Sequence, residues 1–240
     1  MQLYWIRHAQ STNNLLWDVT GSSAGRSEDP ELTEAGLQQA SCLAHLLKER
    51  SNGFKSASTD ARMQNDLKIT HVYCSLMLRA VRTADEIGKA LNLPVVAWPE
   101  VHENGGIYLD GDEPEERIGL PGKPRSFFEK HFPNLILPEG LDEAGWWDRS
   151  FETEKERSLR ADCVLRQLLN RHGGSDDSVA VVSHGAFTNL LISTLLKLPE
   201  EARCWFVLNN TSITRLDFND NGIDVVYVNR IDYLPVDLIT

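Results

Sequence analysis

The sequence lacks what a membrane, nucleic-acid or metal-knuckle protein needs. No apolar run approaches the ~20 residues that cross a bilayer. Residues 1–6 lead straight into Arg7 and His8, without the basic start, long apolar stretch and small-residue cleavage site of a signal peptide. Cysteine is sparse: Cys42, Cys74, Cys163 and Cys204 include no C-x-x-C pair, which removes zinc knuckles and thioredoxin-type motifs. Without a secretory signal these thiols are expected to be reduced and the protein cytoplasmic. Basic residues are outnumbered, 24 Lys and Arg against 35 Asp and Glu, for a net charge of −11. That balance excludes the broad basic face of a general nucleic-acid binder. It also sits oddly with an enzyme that handles small anions. Neither G-x-G-x-x-G nor G-x-x-x-x-G-K-[ST] occurs, and His102-Glu103 lacks the second histidine of H-E-x-x-H. No internal repeat is present, and no cofactor or metal is called for.

What is present is an alternation of strands and helices. Residues 2–6 (QLYWI), 69–74 (ITHVYC), 94–97 (PVVA) and 179–183 (VAVVS) read as buried strands. Thr33 is a plausible N-cap, after which Leu37, Ala40, Leu43, Ala44 and Leu47 recur at helical spacing. Residues 78–91 form a second helical pattern, and residues 152–171 a charged amphipathic one that Gly173-Gly174 ends. An apolar helix follows over 186–198. Residues 51–66 are polar and aperiodic, a loop or insertion. Residues 211–218 and 223–228 flank Asn219-Asp220-Asn221-Gly222, a hairpin signal. Residues 100–149 are rich in proline and glycine, with a dense acidic patch over 110–116, and read as an inserted cap at about 104–150. Together these predict one domain over residues 1–240: a three-layer α/β/α fold with a mostly parallel sheet, a C-terminal hairpin and a cap. Ligands bind such sheets outside the carboxyl ends of the strands. His8 and His184 each follow a buried strand, so both belong at that edge.

Three strand-end clusters carry chemistry. Residues 7–14 (RHAQSTNN) join a guanidinium, an imidazole and several amides, a set suited to an oxyanion. Residues 75–84 (SLMLRAVRTA) place Arg79 in the first turn of a helix, where a cation is mildly unfavourable unless it serves a ligand. Ser183-His184-Gly185-Ala186 puts a histidine at a helix start beside a glycine that permits close backbone approach. Taken singly, each has an ordinary alternative: a surface arginine, a paired arginine, a structural histidine.

Together and in order, they resemble the histidine phosphatase superfamily, also called phosphoglycerate mutase-like. Arg7-His8-Ala9 stands for the family's Arg-His-Gly, with Gln10, Ser11 and Asn14 in the matching positions. Leu32 to Ala40 matches Leu-Thr-x-x-Gly-x-x-Gln-Ala, Ser75 to Ala84 matches Ser-x-x-x-Arg-Ala-x-x-Thr-Ala, and Ser183-His184-Gly185 matches Ser-His-Gly. The resemblance implies His8 as nucleophile, forming a phosphohistidine, with Arg7, Arg79 and His184 around the phosphoryl group. It implies Glu103, in Val101-His102-Glu103, as the acid that protonates the leaving oxygen. Asn14, Gln10, Ser11 and Gly185 are further candidates for phosphate or substrate contact. The implied substrate is a small phosphorylated metabolite; oligomeric state is not indicated.

Where the chain departs from the pattern, Ala9 replaces the usual glycine, which is tolerable at negative φ. Residues 15–28 show no match to the mutases' Arg-Phe-x-Gly-Trp-type stretch, and the cap has no Arg-Arg pair. These departures favour a phosphatase, with a cofactor-dependent mutase as the alternative and a non-catalytic phospholigand-binding protein as a third reading. Tyr108, Lys123 and Arg125 are expected to be solvated cap residues, Arg82 a surface partner, His102 structural, and Trp146-Trp147 the packing between cap and core.

Overall fold

The computed structural model describes residues 1–54, 67–113, 116–199, 202 and 204–240. The strands are β1 (Gln2–Arg7), β2 (His71–Cys74), β3 (Val95–Ala97), β4 (Tyr108–Asp110), β5 (Arg117–Gly119), β6 (Leu135–Ile136), β7 (Ser178–Ser183), β8 (Ile213–Asn219) and β9 (Gly222–Arg230). The helices are α1 (Thr12–Thr20), α2 (Glu34–Ser51), α3 (Leu78–Leu91), α4 (Arg125–His131), α5 (Glu154–His172) and α6 (Gly185–Leu195).

Seven strands form one sheet in the order β6-β3-β2-β7-β1-β8-β9. The first five run parallel, and β8 pairs antiparallel with both β1 and β9. This is the expected α/β architecture with its terminal hairpin. The central strands are apolar on both faces because both faces are covered. Tyr4, Ile6, Ala180 and Val182 join a core cluster with residues of α2 and α3. Leu3, Trp5, Val179 and Val181 join the opposite one with residues of α5 and α6. Period-two alternation thus splits each strand between two helical layers. No helix among the described residues is long and apolar enough to cross a membrane.

Local signals set the helix ends. Thr33 caps α2 by accepting from the Gly36 N–H, and Thr153 with Glu156 forms a capping box on α5. Helix α2 runs through Ser51, further than expected, and residues 55–66 of the anticipated loop lie outside the described residues, as do 114–115 of the acidic patch. Helix α1, capped by Ser11, has no counterpart in the periodicity reading: its residues include none that are buried, so no apolar face marks it.

The stretch at 104–150 has two parts. Strands β4 and β5 make a separate two-stranded sheet. Further on, β6 pairs with β3, and Phe128, Phe132 and Leu141 enter the α2/α3 core. A two-residue strand is too short to show periodicity in sequence. Trp147 packs with Met77 and Ile107, with Trp146 against the same cluster, as the Trp pair suggested.

Candidate active site

The register of the sheet builds the site. Arg7 pairs with Ser183 across β1 and β7, so the next residues, His8 and His184, leave the sheet side by side. Their ring centroids are 5.1 Å apart. Helix α3 starts at the same edge after β2 and brings Arg79, whose Nε donates to His8 Nε2 at 3.1 Å. His8 Nδ1 lies 2.7 Å from the Ala9 carbonyl. A carbonyl only accepts, so Nδ1 carries the proton and Nε2 presents its lone pair. Burial, then the Arg79 and Arg7 cations, push His8 well below the ordinary histidine value, so the ring is neutral.

His184 is fully buried, and neither ring nitrogen has a hydrogen-bond partner. Burial, followed by Arg79, also pushes it well below the ordinary value. The buried Nε of Arg7 is likewise unpartnered, while its Nη1 donates to the Leu208 carbonyl. Burial lowers the pKa of Arg7 and of Arg79, opposed chiefly by Glu103 for the first and Asp29 for the second. Buried polar groups without partners cost roughly 1–3 kcal/mol each and call for an explanation. Three such atoms cluster beside a neutral imidazole.

These groups border a cavity of about 350 Å³ lined by Arg7, His8, Arg26, Arg79, Glu103 and Gly185 among others. Glu103 lies on its wall because the chain turns sharply at Gly105 and Gly106, with φ of +89° and +79°. Its carboxylate accepts from the backbone N–H groups of Asn104, Ala186 and Phe187, the last two in the first turn of α6. Helix N-termini hold anions in this way. Glu103 also lines a second, adjoining cavity of about 790 Å³, with Tyr108, Phe151 and Trp205.

The remaining sequence candidates divide. Asn14 and Ser11 line the cavity, but their side chains are also engaged in the α1 capping box. Gly185 lines it at the start of α6, and an added Cβ would lie 3.5 Å from Arg7 Nε, an ordinary contact. Gln10 corrects the expectation: its Oε1 accepts from the Thr33 hydroxyl, and it is not a wall residue. It ties the loop to α2 instead. Ala9 is not among the residues of positive φ, which is the condition under which its methyl is tolerable. Arg82 pairs with Glu31 as expected. His102 is buried, bonded to the Glu103 carbonyl and edge-on to Trp147, a structural position. Tyr108 stacks under Arg26, and Lys123 lies over the Phe127 ring. Arg125 is no solvated cap residue: it donates to the Leu141 and Pro138 carbonyls and pins that loop.

Two supports escaped sequence reading. Asp29 caps α3 from a remote loop, accepting from the Leu78 N–H at 2.9 Å. Its other oxygen is buried and unpartnered, and burial pushes its carboxyl up to about 6. Glu152 and Arg160 form a buried bidentate pair with both contacts at 2.6 Å, and Arg160 also holds the Glu100 and His102 carbonyls. That pair anchors the segment carrying Glu103. Arg26, Asn13 and the 205–208 segment are further wall residues with no motif to announce them.

A family model described as the histidine phosphatase superfamily (branch 1) matches residues 3–65 and 50–231. A curated protein of Yersinia pestis (strain Pestoides F), "Probable phosphoglycerate mutase GpmB", is 30% identical over 226 residues, covering 92% of this chain and 86% of that protein. Among solved structures, phosphoserine phosphatase of Entamoeba histolytica in complex with 3-phosphoglyceric acid gives a TM-score of 0.60 at 21% identity, over 98% of this chain and 99% of the other. A mycobacterial glucosyl-3-phosphoglycerate phosphatase gives 0.60 at 20% identity, over 96% and 99%. At those identities the structural likeness bears on the fold.

Proposed function

Because the chain belongs to the histidine phosphatase superfamily, we propose that it hydrolyses a small phosphomonoester through a phosphohistidine on His8, with protein cations in place of a metal. One observation carries the reading: His8 holds its proton on Nδ1 against the Ala9 carbonyl, while its Nε2 meets Arg79 at a cavity wall. That is the tautomer a nitrogen nucleophile needs.

The His8 Nε2 lone pair forms a bond to phosphorus as the bond from phosphorus to the ester oxygen breaks. Arg79 turns its N–H from His8 to the phosphoryl group, joined by the Arg7 Nε–H and the single N–H of neutral His184, both without a partner before substrate enters. Charge spreads over the equatorial oxygens in this transition state, so preorganised donors there supply most of the acceleration. Glu103 gives a proton to the departing alcohol oxygen. Water then attacks phosphorus, Glu103 takes its proton, the nitrogen–phosphorus bond breaks, and inorganic phosphate and neutral His8 result. Glu103 lines both cavities, a position that suits a group working between the phosphoryl end and the leaving group.

The test is His8→Ala. Turnover of a panel of phosphorylated metabolites should vanish, and the parent, but not the variant, should take up acid-labile phosphate. Full activity in the variant would sink the mechanism. The likeness to a protein named as a probable mutase favours one second reading, transfer of the phosphoryl group between positions of one substrate. Labelled phosphate separates the two: a phosphatase releases label to water, a mutase returns it to product.

A further inference from the structure

At the opposite edge of the sheet, three potential ligands converge that the proposed reaction does not use. His71 opens β2, His172 ends α5, and Asp177 immediately precedes β7. One nitrogen from each imidazole and a carboxylate oxygen all lie within 4.8 Å of one another. His172 Nδ1 is already 2.8 Å from Asp177 Oδ2, and His71 Nδ1 is 3.9 Å from Asp177 Oδ1. Ligands around a zinc ion at ~2.0–2.2 Å stand roughly 3–3.5 Å apart, so an ion requires the His172–Asp177 contact to open slightly and His71 to close in, giving up its 2.9 Å contact with the Thr70 hydroxyl.

Surroundings as well as spacing suit an ion. His172 Nε2 is 2.9 Å from the Tyr73 hydroxyl. With metal on Nδ1, the single imidazole proton sits on Nε2 and is donated to Tyr73, the outer hydrogen bond that orients metal-binding histidines. His172 is buried, which fixes it, whereas the side chains of His71 and Asp177 are 43% and 30% exposed. The cluster therefore has an entry path and room for a water as fourth ligand. Two imidazoles and a carboxylate form a donor set suited to zinc.

We propose that His71, His172 and Asp177 bind one zinc-type divalent cation, clamping the end of α5 to the starts of β2 and β7. The six residues of β7 separate Asp177 from His184, roughly 20 Å of extended chain, so the ion is structural and remote from phosphoryl chemistry.

The experiment is calorimetric titration of chelator-treated full-length protein with zinc chloride, repeated with cobalt chloride while following visible absorption. One saturable equivalent is expected. Affinity should fall tenfold or more in His71→Ala and in Asp177→Asn, and about tenfold in Tyr73→Phe, the size usual for an outer-shell partner. His8→Ala should bind zinc like the parent, which separates this cluster from the active-site histidines. His71 is partly exposed, so its replacement leaves the fold intact, and phosphatase turnover without metal should match the parent's. Absence of saturable binding, or binding undiminished in both His71→Ala and Asp177→Asn, would overturn the assignment.

Discussion

Replacing Gly36 with alanine tests how closely the nucleophile loop depends on a helix outside the cavity. Gly36 lies in the first turn of α2, pressed against the backbone of Gln10, two residues after His8. A Cβ at position 36 would sit 2.1 Å from the Gln10 carbonyl oxygen, where no real Cβ approaches within 3.0 Å. Loop or helix must therefore yield by about 1 Å. Neither is free to do so, because the Thr33 N–H donates to that carbonyl and Gln39 accepts from the Gln10 N–H at 2.8 Å. Overpacking of this kind costs about 1–3 kcal/mol of stability. A 1 Å displacement of a reacting group costs about 10²-fold in rate. We expect Gly36→Ala to fold, to unfold at lower urea, and to turn over a phosphomonoester about a hundredfold more slowly. Gly185→Ala is the control for stability, since its added Cβ meets Arg7 at an ordinary 3.5 Å. A folded Gly36→Ala protein whose kcat stays within threefold of the parent would refute this dependence of the nucleophile loop on α2.

Three more outcomes follow from the supports of the site. Glu103→Gln should slow hydrolysis of alkyl phosphates by about 10²–10⁴ and of p-nitrophenyl phosphate far less, because a good leaving group departs without a proton; equal defects would exclude Glu103 as the acid. Glu152→Gln strips the buried Arg160 of its partner and should cost about 3–5 kcal/mol in urea unfolding, with a change below about 1 kcal/mol contradicting the pairing. For Asp29, the folded pKa is raised from 3.8 to about 6. The folded state therefore binds the proton more tightly, and stability falls as pH rises through that window. Asp29→Asn removes this titration, so its stability relative to the parent should improve by about 3 kcal/mol between pH ~4 and pH ~7, measured by denaturation at both ends. A difference independent of pH would show that Asp29 is not buried as a carboxylate.

The parts of this molecule that were legible in sequence are those governed by near neighbours along the chain. Apolar runs at 2–6 and 179–183 mark strands buried on both faces, and a histidine directly after each fixes the shared edge. Thr33 announces α2 because an N-cap acts three residues away. Gly36 is legible as a motif position, but its reason, the Gln10 carbonyl, is a contact made only on folding. Asp29 and Leu78 are 49 residues apart, and nothing local to either signals the bond. The pairing of β6 with β3 is invisible for the same reason, since two residues carry no period. Gln10 stands at a matching position of the family pattern, but a motif position does not say which way a side chain faces, and here the loop spends that side chain on Thr33.

The acidic balance then bears on the chemistry itself. Burying Arg7 and Arg79 requires nearby countercharge, and Glu103 and Asp29 are the acids that oppose their desolvation most. A net charge of −11 is thus compatible with two buried guanidinium groups, whose charge is offset by carboxylates nearby. An entering phosphoryl group competes for the same cations and faces Glu103 as a like charge. Under the proposed mechanism, Arg79 frees His8 Nε2 as it turns to the phosphoryl group, while Asp29, bonded to the Leu78 N–H, fixes the start of the helix that carries Arg79.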